Sequence, residues 1–240
     1  MIDDNSDFGP PMDPFKFKPQ LTNIWVFQKP NPRYGAPKDP EFKYGRIAGQ
    51  IVENLLYYFT NTGDVVLDPM VGTGTTIDVC KAWNRQCLAF DIEPYPKRND
   101  IVQNDLLKGL PDGIPKAHLA FLDPLYFNMK VRDAFTDFRD YVDWLRNIVN
   151  NTVPGVRRGG HIALINCDQT MIGDESYQLV LKSGEILDNN PDLRFKDTIS
   201  IPLIMATQYM DFDVARAKKN KKMLGVNRQM FVFQKKGVER

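Results

Sequence analysis

From Gly45 onward, hydrophobic and polar positions fall into blocks whose period changes along the chain. In GRIAGQIVENLLYYFT (45–60), Ile47, Ile51, Leu55, Tyr58 and Phe59 recur at the spacing of one helical stripe. A Thr-Gly-Asp break ends that helix, and VVLDP (65–69) is a short apolar run opening into a loop, the pattern of a buried strand. The same alternation predicts a helix in GTGTTIDVCKAWN (72–84), a strand in QCLAFDIEP (86–94) and a shorter one in DIVQNDLL (100–107). Strand HLAFLDP (118–124), helix FRDYVDWLRNIVNNTV (138–153), a turn at RRGG (157–160) and strand HIALINC (161–167) follow. Helix-like ESYQLVLKSGEIL (175–187) precedes strand-like DTISIPLIMA (197–206), and QMFVFQK (229–235) is the last strand.

Strands alternating with helices imply an α/β domain whose mostly parallel sheet is covered on both faces. The last two strands have no helical pattern between them, so they are expected to pair antiparallel across a long basic connection. Residues 1–44 differ in kind. Their prolines forbid a long helix, while Trp25, Phe27 and Phe42 offer apolar anchors. The expectation is an arm strapped over the domain, with NIWVFQ (23–28) as its strand-like piece; a disordered tail is the alternative, above all for residues 1–18. The domain then runs 45–240, with a small basic insertion near 206–229.

Composition narrows this picture. The 240 residues suit one domain, and a net charge of +1 gives no global attraction to nucleic acid. A polyanion site would have to be local, and ARAKKNKK (215–222) is the candidate; a solvated surface is its plainer explanation. Cys80, Cys87 and Cys167 lack zinc spacing and read as buried thiols of a reducing compartment. The polar start and the lack of any long apolar run lead to the expectation of a soluble, cytoplasmic protein away from membranes. His118 and His161 each open a strand without ligand partners, so no metal is expected. Trp25, Trp83 and Trp144 fall on apolar faces and read as core.

LDPMVGTGTT (67–76) ends a strand and opens a helix. Gly72 and Gly74 permit tight turns and close ligand approach, and the helix start offers free N–H groups, which suits a nucleotide-like cofactor. The loop lacks the Gly-Lys-Ser/Thr of a P-loop and has threonine at the third glycine of the dinucleotide pattern. Asp91, at the end of the next strand, stands where an acid accepts hydrogen bonds from ribose hydroxyls, with Glu93 as competitor. Asp105 ends the third strand, where it could accept from an adenine amino group. A helix cap or turn is the alternative role for each acid.

These motifs, with FLDPLYF (121–127), resemble the S-adenosylmethionine-dependent DNA amino-methyltransferases that modify adenine N6 or cytosine N4, with Asp-Pro-Leu-Tyr in place of Asp-Pro-Pro-Tyr. The resemblance covers roughly residues 23–240 and includes the helix leading into the glycine loop and the closing strand. It implies a doubly wound, Rossmann-like class I fold: a seven-stranded, mostly parallel sheet with an antiparallel last strand. It implies S-adenosylmethionine held by Asp68, Pro69, Met70, Gly72, Gly74, Thr75 and Thr76, and by Asp91, Ile92 and Asp105. Pro69, Gly72 and Gly74 would shape the methionine pocket, Thr75 and Thr76 would help cap the helix, Asp91 would take the ribose and Asp105 the adenine.

On the catalytic side the resemblance names Asp123, Pro124, Leu125 and Tyr126, with Phe127 as a pocket wall. Two fixed acceptors, the Asp123 carboxylate and the Pro124 carbonyl, can hold an amino group whose lone pair is delocalised into its ring. Tyr126 can stack on a base taken out of a duplex. Leu125 departs from the pattern and leaves the loop looser, by about 0.4–1 kcal/mol of chain entropy. Target contacts are expected from loops 127–140, 168–175 and 206–229, where Lys218, Lys219 and Arg228 suit phosphates. The implied partner is DNA, with RNA less favoured, and the short recognition surface suggests a homodimer or a partner subunit. An RNA or protein amide methyltransferase, or a lapsed binding subunit, are the alternatives.

Overall fold

The computed structural model describes residues 17–27, 47–127, 135–172, 175–202, 215, 218–219 and 227–237. The rest of the amino-terminal arm lies outside them, as do Arg216, Lys221 and Lys222 of the basic run. In chain order the elements are α1 (Gly49–Phe59), β1 (Val65–Asp68), α2 (Thr75–Ala82), β2 (Gln86–Asp91), β3 (Val102–Gln103), β4 (Ala117–Leu122), α3 (Phe138–Thr152) and β5 (Val156–Asn166). A small hairpin of β6 (Gln169–Ile172) and β7 (Glu175–Tyr177) follows, then α4 (Leu179–Asp188), β8 (Leu193–Pro202) and β9 (Asn227–Lys235).

Seven strands form one sheet in the order β3-β2-β1-β4-β5-β9-β8. The first five pair parallel, and β9 runs antiparallel to both β5 and β8, as expected for the last strand. The strand order reverses between β1 and β4, and ligands of open α/β sheets bind in the crevice above such a reversal.

Pleating sends alternate side chains to opposite faces. Leu67, Ala120, Leu122, Ile162 and Leu164 face the core shared with α3 and α4. Val66, Leu119, Phe121, Ala163 and Ile165 face the core shared with α1 and α2. Both faces are therefore buried, which is why these strands read as continuous apolar runs. α3 starts where the Asp137 carboxylate accepts from the backbone N–H groups of Arg139 (2.7 Å) and Asp140 (3.0 Å).

Several local expectations change. RRGG is not a turn between elements: Arg157–Gly160 lie inside β5, where the register against β4 slips between Ala117 and Leu119. The bulge absorbs the extra residues without breaking the strand. The helix expected from Glu175 begins at Leu179, because Glu175–Tyr177 pair with β6. β8 begins at Leu193, four residues early, because its first residues alternate polar and apolar at the sheet edge. On α1 the inward face is Ile51, Val52, Leu55 and Leu56, while Tyr58 is 42% exposed.

Tyr58 instead holds the arm, its hydroxyl donating to the Gln20 carbonyl. Trp25 is buried in the α1-side core, and its N–H donates to the Ser200 carbonyl of β8 at 2.8 Å. The strand expected at 23–28 is reduced, among the described residues, to one bridge between Ile24 and Ser200. Among the described residues no helix is long and apolar enough to cross a membrane.

Candidate active site

One pocket lies over the carboxyl ends of β1, β2 and β4. Asp68, the last residue of β1, is nearly fully buried; its carboxyl accepts from the Met70 N–H at 3.1 Å and the Thr76 hydroxyl at 2.5 Å. Burial pushes its pKa up to about 7, against those two hydrogen bonds, with smaller contributions from Asp123 and Asp91. The glycine loop then folds back on β2. The Val71 N–H donates to the Phe90 carbonyl at 3.0 Å, and the Gly72 N–H donates to the Asp91 carboxylate at 2.9 Å. The other Asp91 oxygen accepts from the Glu93 N–H at 3.0 Å. Burial raises the Asp91 pKa, and these backbone donors oppose the rise.

Gly74 caps α2 at φ 90°, a left-handed conformation, and neither threonine caps the helix with its side chain as expected. Thr76 serves Asp68 instead, and the Thr75 hydroxyl is buried without a partner among the described residues. A Cβ on Gly74 would meet the Arg98 guanidinium at 2.7 Å. Arg98 is fixed there by Asp78 (2.9 Å) and Asp100 (2.8 Å), and its Nη1 reaches the Thr73 carbonyl at 3.4 Å. Gly74→Ala is therefore expected to lose about 1–2 kcal/mol from backbone strain alone, with a further loss from displacing Arg98. Urea unfolding checks this, and the substitution should cost less on an Arg98→Ala background; an equal cost on both would show that the clash does not matter.

Asp105 lines the pocket, and it also caps the short 3-10 turn Leu106–Lys108, accepting from the Leu107 N–H at 3.1 Å. The turn role foreseen as its alternative is thus present beside the pocket-facing position. Ile92 and Glu93 line the same rim.

From the end of β4 the chain delivers Asp123, Pro124, Leu125 and Tyr126 into the same pocket. Asp123 keeps a partly open face, yet protein surrounds its carboxyl closely enough that burial raises its pKa, with the Arg228 cation opposing. The Arg228 guanidinium sits 6.0 Å from the centre of the Tyr126 ring. Burial works against its charge, but Tyr126 and Asp123 outweigh that and hold its pKa above the ordinary value. Arg228 was expected with the phosphate-binding lysines, but it lines the pocket because β9 begins one residue before it. Phe127 is buried among Phe135, Phe138, Tyr141 and Tyr177, a support beneath the pocket more than a wall of it.

The pocket thus brings together Asp68, Pro69, Met70, Gly72, Thr75, Thr76, Asp91, Ile92, Asp105, Asp123, Pro124, Leu125, Tyr126 and Arg228. Gly74 stands behind the loop, and Lys218 and Lys219 are exposed away from the lining. Periodicity missed Ile47, Asn104, Trp144 and Ile148, which also line it. Trp144 and Ile148 belong to the apolar stripe of α3, so a residue facing the pocket carries the same signal as one facing the core.

The raised Asp68 pKa has a consequence for stability. Between its ordinary 3.8 and about 7 the folded chain keeps a proton that the unfolded chain has lost. The stabilisation is complete below pH 3.8 and disappears as pH rises through about 7. His161, held down to about 4 by burial, acts in the opposite sense below its ordinary 6.5. Urea midpoints are therefore expected to fall from pH 6.5 to 8, and Asp68→Asn should flatten that fall. An undiminished slope in the asparagine variant would assign it elsewhere.

Residues 6–102 match the family described as DNA methylase, of the N6/N4 class. The chain is 35% identical over 80 residues to the Type II methyltransferase M.HpaI of Haemophilus parainfluenzae, covering 30% of this chain and 22% of that protein. It is 35% identical over 51 residues to the Type II methyltransferase M.MjaII of Methanocaldococcus jannaschii, covering 21% and 10%. The matched stretches thus span a fifth and a tenth of those relatives' lengths. In fold, the chain is similar to TrmN from Thermus thermophilus, with TM-score 0.53 and 14% identity over 80% of this chain and 50% of that one. The sheet is the seven-stranded, mostly parallel one expected from the sequence, and over residues 6–102 the chain matches the N6/N4 DNA methylase family.

Proposed function

We propose that the chain transfers a methyl group from S-adenosylmethionine to the N6 of adenine or the N4 of cytosine in DNA. One observation carries this reading: Asp123–Tyr126 open into the same pocket as the glycine loop and Asp91. The pocket suits the cofactor, because the Thr75 hydroxyl is buried without a partner among the described residues and the space beside Gly72 is open. When bound, S-adenosylmethionine supplies a methyl group activated by its sulfonium charge.

The chain's own groups do the remaining work. Asp91 holds Gly72 and has lone pairs left for ribose hydroxyls. Asp105 and Asn104 bound the adenine end, with Trp144 and Ile148 as apolar walls. The Asp123 carboxylate and Pro124 carbonyl accept the two N–H bonds of the target amine, which turns its lone pair toward the methyl end of the pocket. The cation of Arg228 favours the ionised form of Asp123, the form that accepts hydrogen bonds best. Tyr126 offers a ring face to the extruded base.

Lys218 and Lys219, both exposed, suit the phosphate backbone. Residues 1–44 serve as an arm and 45–240 as the catalytic domain, in a cytoplasmic protein. A second copy or a partner subunit completes target recognition in this reading. Tritiated methyl transfer to unmethylated DNA, tRNA and protein tests it, with label expected in DNA alone. Mass spectrometry of digested DNA then separates N6-methyladenine from N4-methylcytosine. Label in tRNA or protein but not DNA would overturn the substrate, and cofactor binding without any transfer would overturn the enzyme.

A further inference from the structure

Tyr141, on the second turn of α3, is fully buried, and its ring packs against Phe127, Phe135, Phe138 and Trp144. That packing fixes where its hydroxyl can go. The hydroxyl donates to the carbonyl of Leu125 at 2.9 Å, inside the tetrapeptide that bears Asp123 and Tyr126. Asn166, at the end of β5, faces the same phenol oxygen, which leaves the phenol proton for Leu125.

The position of this bond matters more than its strength. The Pro124 carbonyl belongs to the peptide unit between Pro124 and Leu125. On its amino side the pyrrolidine ring locks φ of Pro124. On its carboxyl side, leucine leaves φ free where a second proline would lock it. Anchoring the Leu125 carbonyl holds the next peptide plane, so the unit bearing the Pro124 carbonyl is restrained from both ends.

We infer that Tyr141 is a positioning residue for methyl transfer, its hydroxyl restraining the Asp123–Tyr126 loop through Leu125 in place of the ring that leucine lacks. The inference rests on the reading of Asp123–Tyr126 as the catalytic loop. It departs from an ordinary core tyrosine in one respect: the hydroxyl should become dispensable once residue 125 is itself rigid. No described hydrogen bond uses the Leu125 N–H, so proline can be placed there without losing one.

The test compares wild type, Tyr141→Phe, Leu125→Pro and the double variant, with Asp123→Ala as control, on unmethylated DNA. Tyr141→Phe removes one oxygen and leaves the ring packing intact. It is expected to lower kcat about five- to tenfold, the scale of one hydrogen bond, with cofactor Kd and KM for DNA little changed. On the Leu125→Pro background the same change should cost less than about twofold. Amide hydrogen exchange at residues 126 and 127, which keep their N–H groups in every variant, reads the restraint without activity: faster in Tyr141→Phe, and restored in the double variant. An equal kcat loss on both backgrounds, or unchanged exchange in Tyr141→Phe, overturns the inference. Full activity in Asp123→Ala overturns instead the reading of the site, and the role of Tyr141 with it.

Discussion

Asp123→Ala is expected to reduce methyl transfer by roughly 10²–10³-fold or more, the effect of deleting one preorganised hydrogen-bonding group at a reacting centre, while cofactor Kd stays close to wild type. The separation follows from geometry. Asp123 faces Tyr126 and Arg228 and makes no described hydrogen bond to the glycine loop, which is held by Asp68 and Asp91. The folded state should tolerate the change, because burial already disfavours the Asp123 charge. Asp123→Asn is the sharper variant: its carbonyl still accepts, but its amide turns donors toward the target amine and removes the charge facing Arg228. It should bind DNA and cofactor and transfer slowly. Single-turnover transfer with equilibrium binding on the same samples decides the matter, and a kcat near wild type would remove Asp123 from the chemistry.

Asp91→Ala should act on cofactor binding instead. Its two oxygens tie down the Gly72 and Glu93 N–H groups, so the substitution loosens the loop as well as removing the acceptors proposed for the ribose. With charge-assisted bonds at about 1.5–3 kcal/mol each, cofactor Kd should rise on the order of 100-fold, with kcat at saturating cofactor nearly retained. Glu93→Ala is the matched control. Glu93 is exposed on the pocket rim, holds no loop amide among the described residues, and should shift Kd by less than about threefold. Calorimetric titration with S-adenosylhomocysteine measures both, and a larger effect at Glu93 would exchange their roles.

Asp91 shows why the candidate site was partly legible in the chain. A short apolar run, two glycines and an acid on the following strand form a local pattern, and a parallel sheet brings strand ends of this kind to one side. Gly72 and Asp91 are 19 residues apart yet meet through one hydrogen bond, because β1 and β2 are paired neighbours. The tetrapeptide was legible for the same reason, being the carboxyl end of β4 next to β1.

Arg228 and Tyr141 show what was not legible. Arg228 follows a lysine-rich stretch and reads as one more phosphate ligand; only the antiparallel return of β9 beside β5 lays it over Tyr126. Tyr141 looks like any core position of an amphipathic helix, and its hydroxyl gains meaning only from the carbonyl it meets 16 residues earlier. Arg98 is similar, a polar residue in a loop whose task is to close over Gly74. Each depends on a side chain's direction after packing, which periodicity does not encode.

By itself, then, the sequence determined the alternation of elements, the glycine loop and the acids and tetrapeptide at strand ends, because short-range pattern and turn chemistry are sufficient for these. The tertiary structure alone decided which side chains reach that crevice from afar and which merely fill the core. Those choices turn on strand order, on the bulge in β5 and on helix rotation, where contacts between distant residues outweigh local preference.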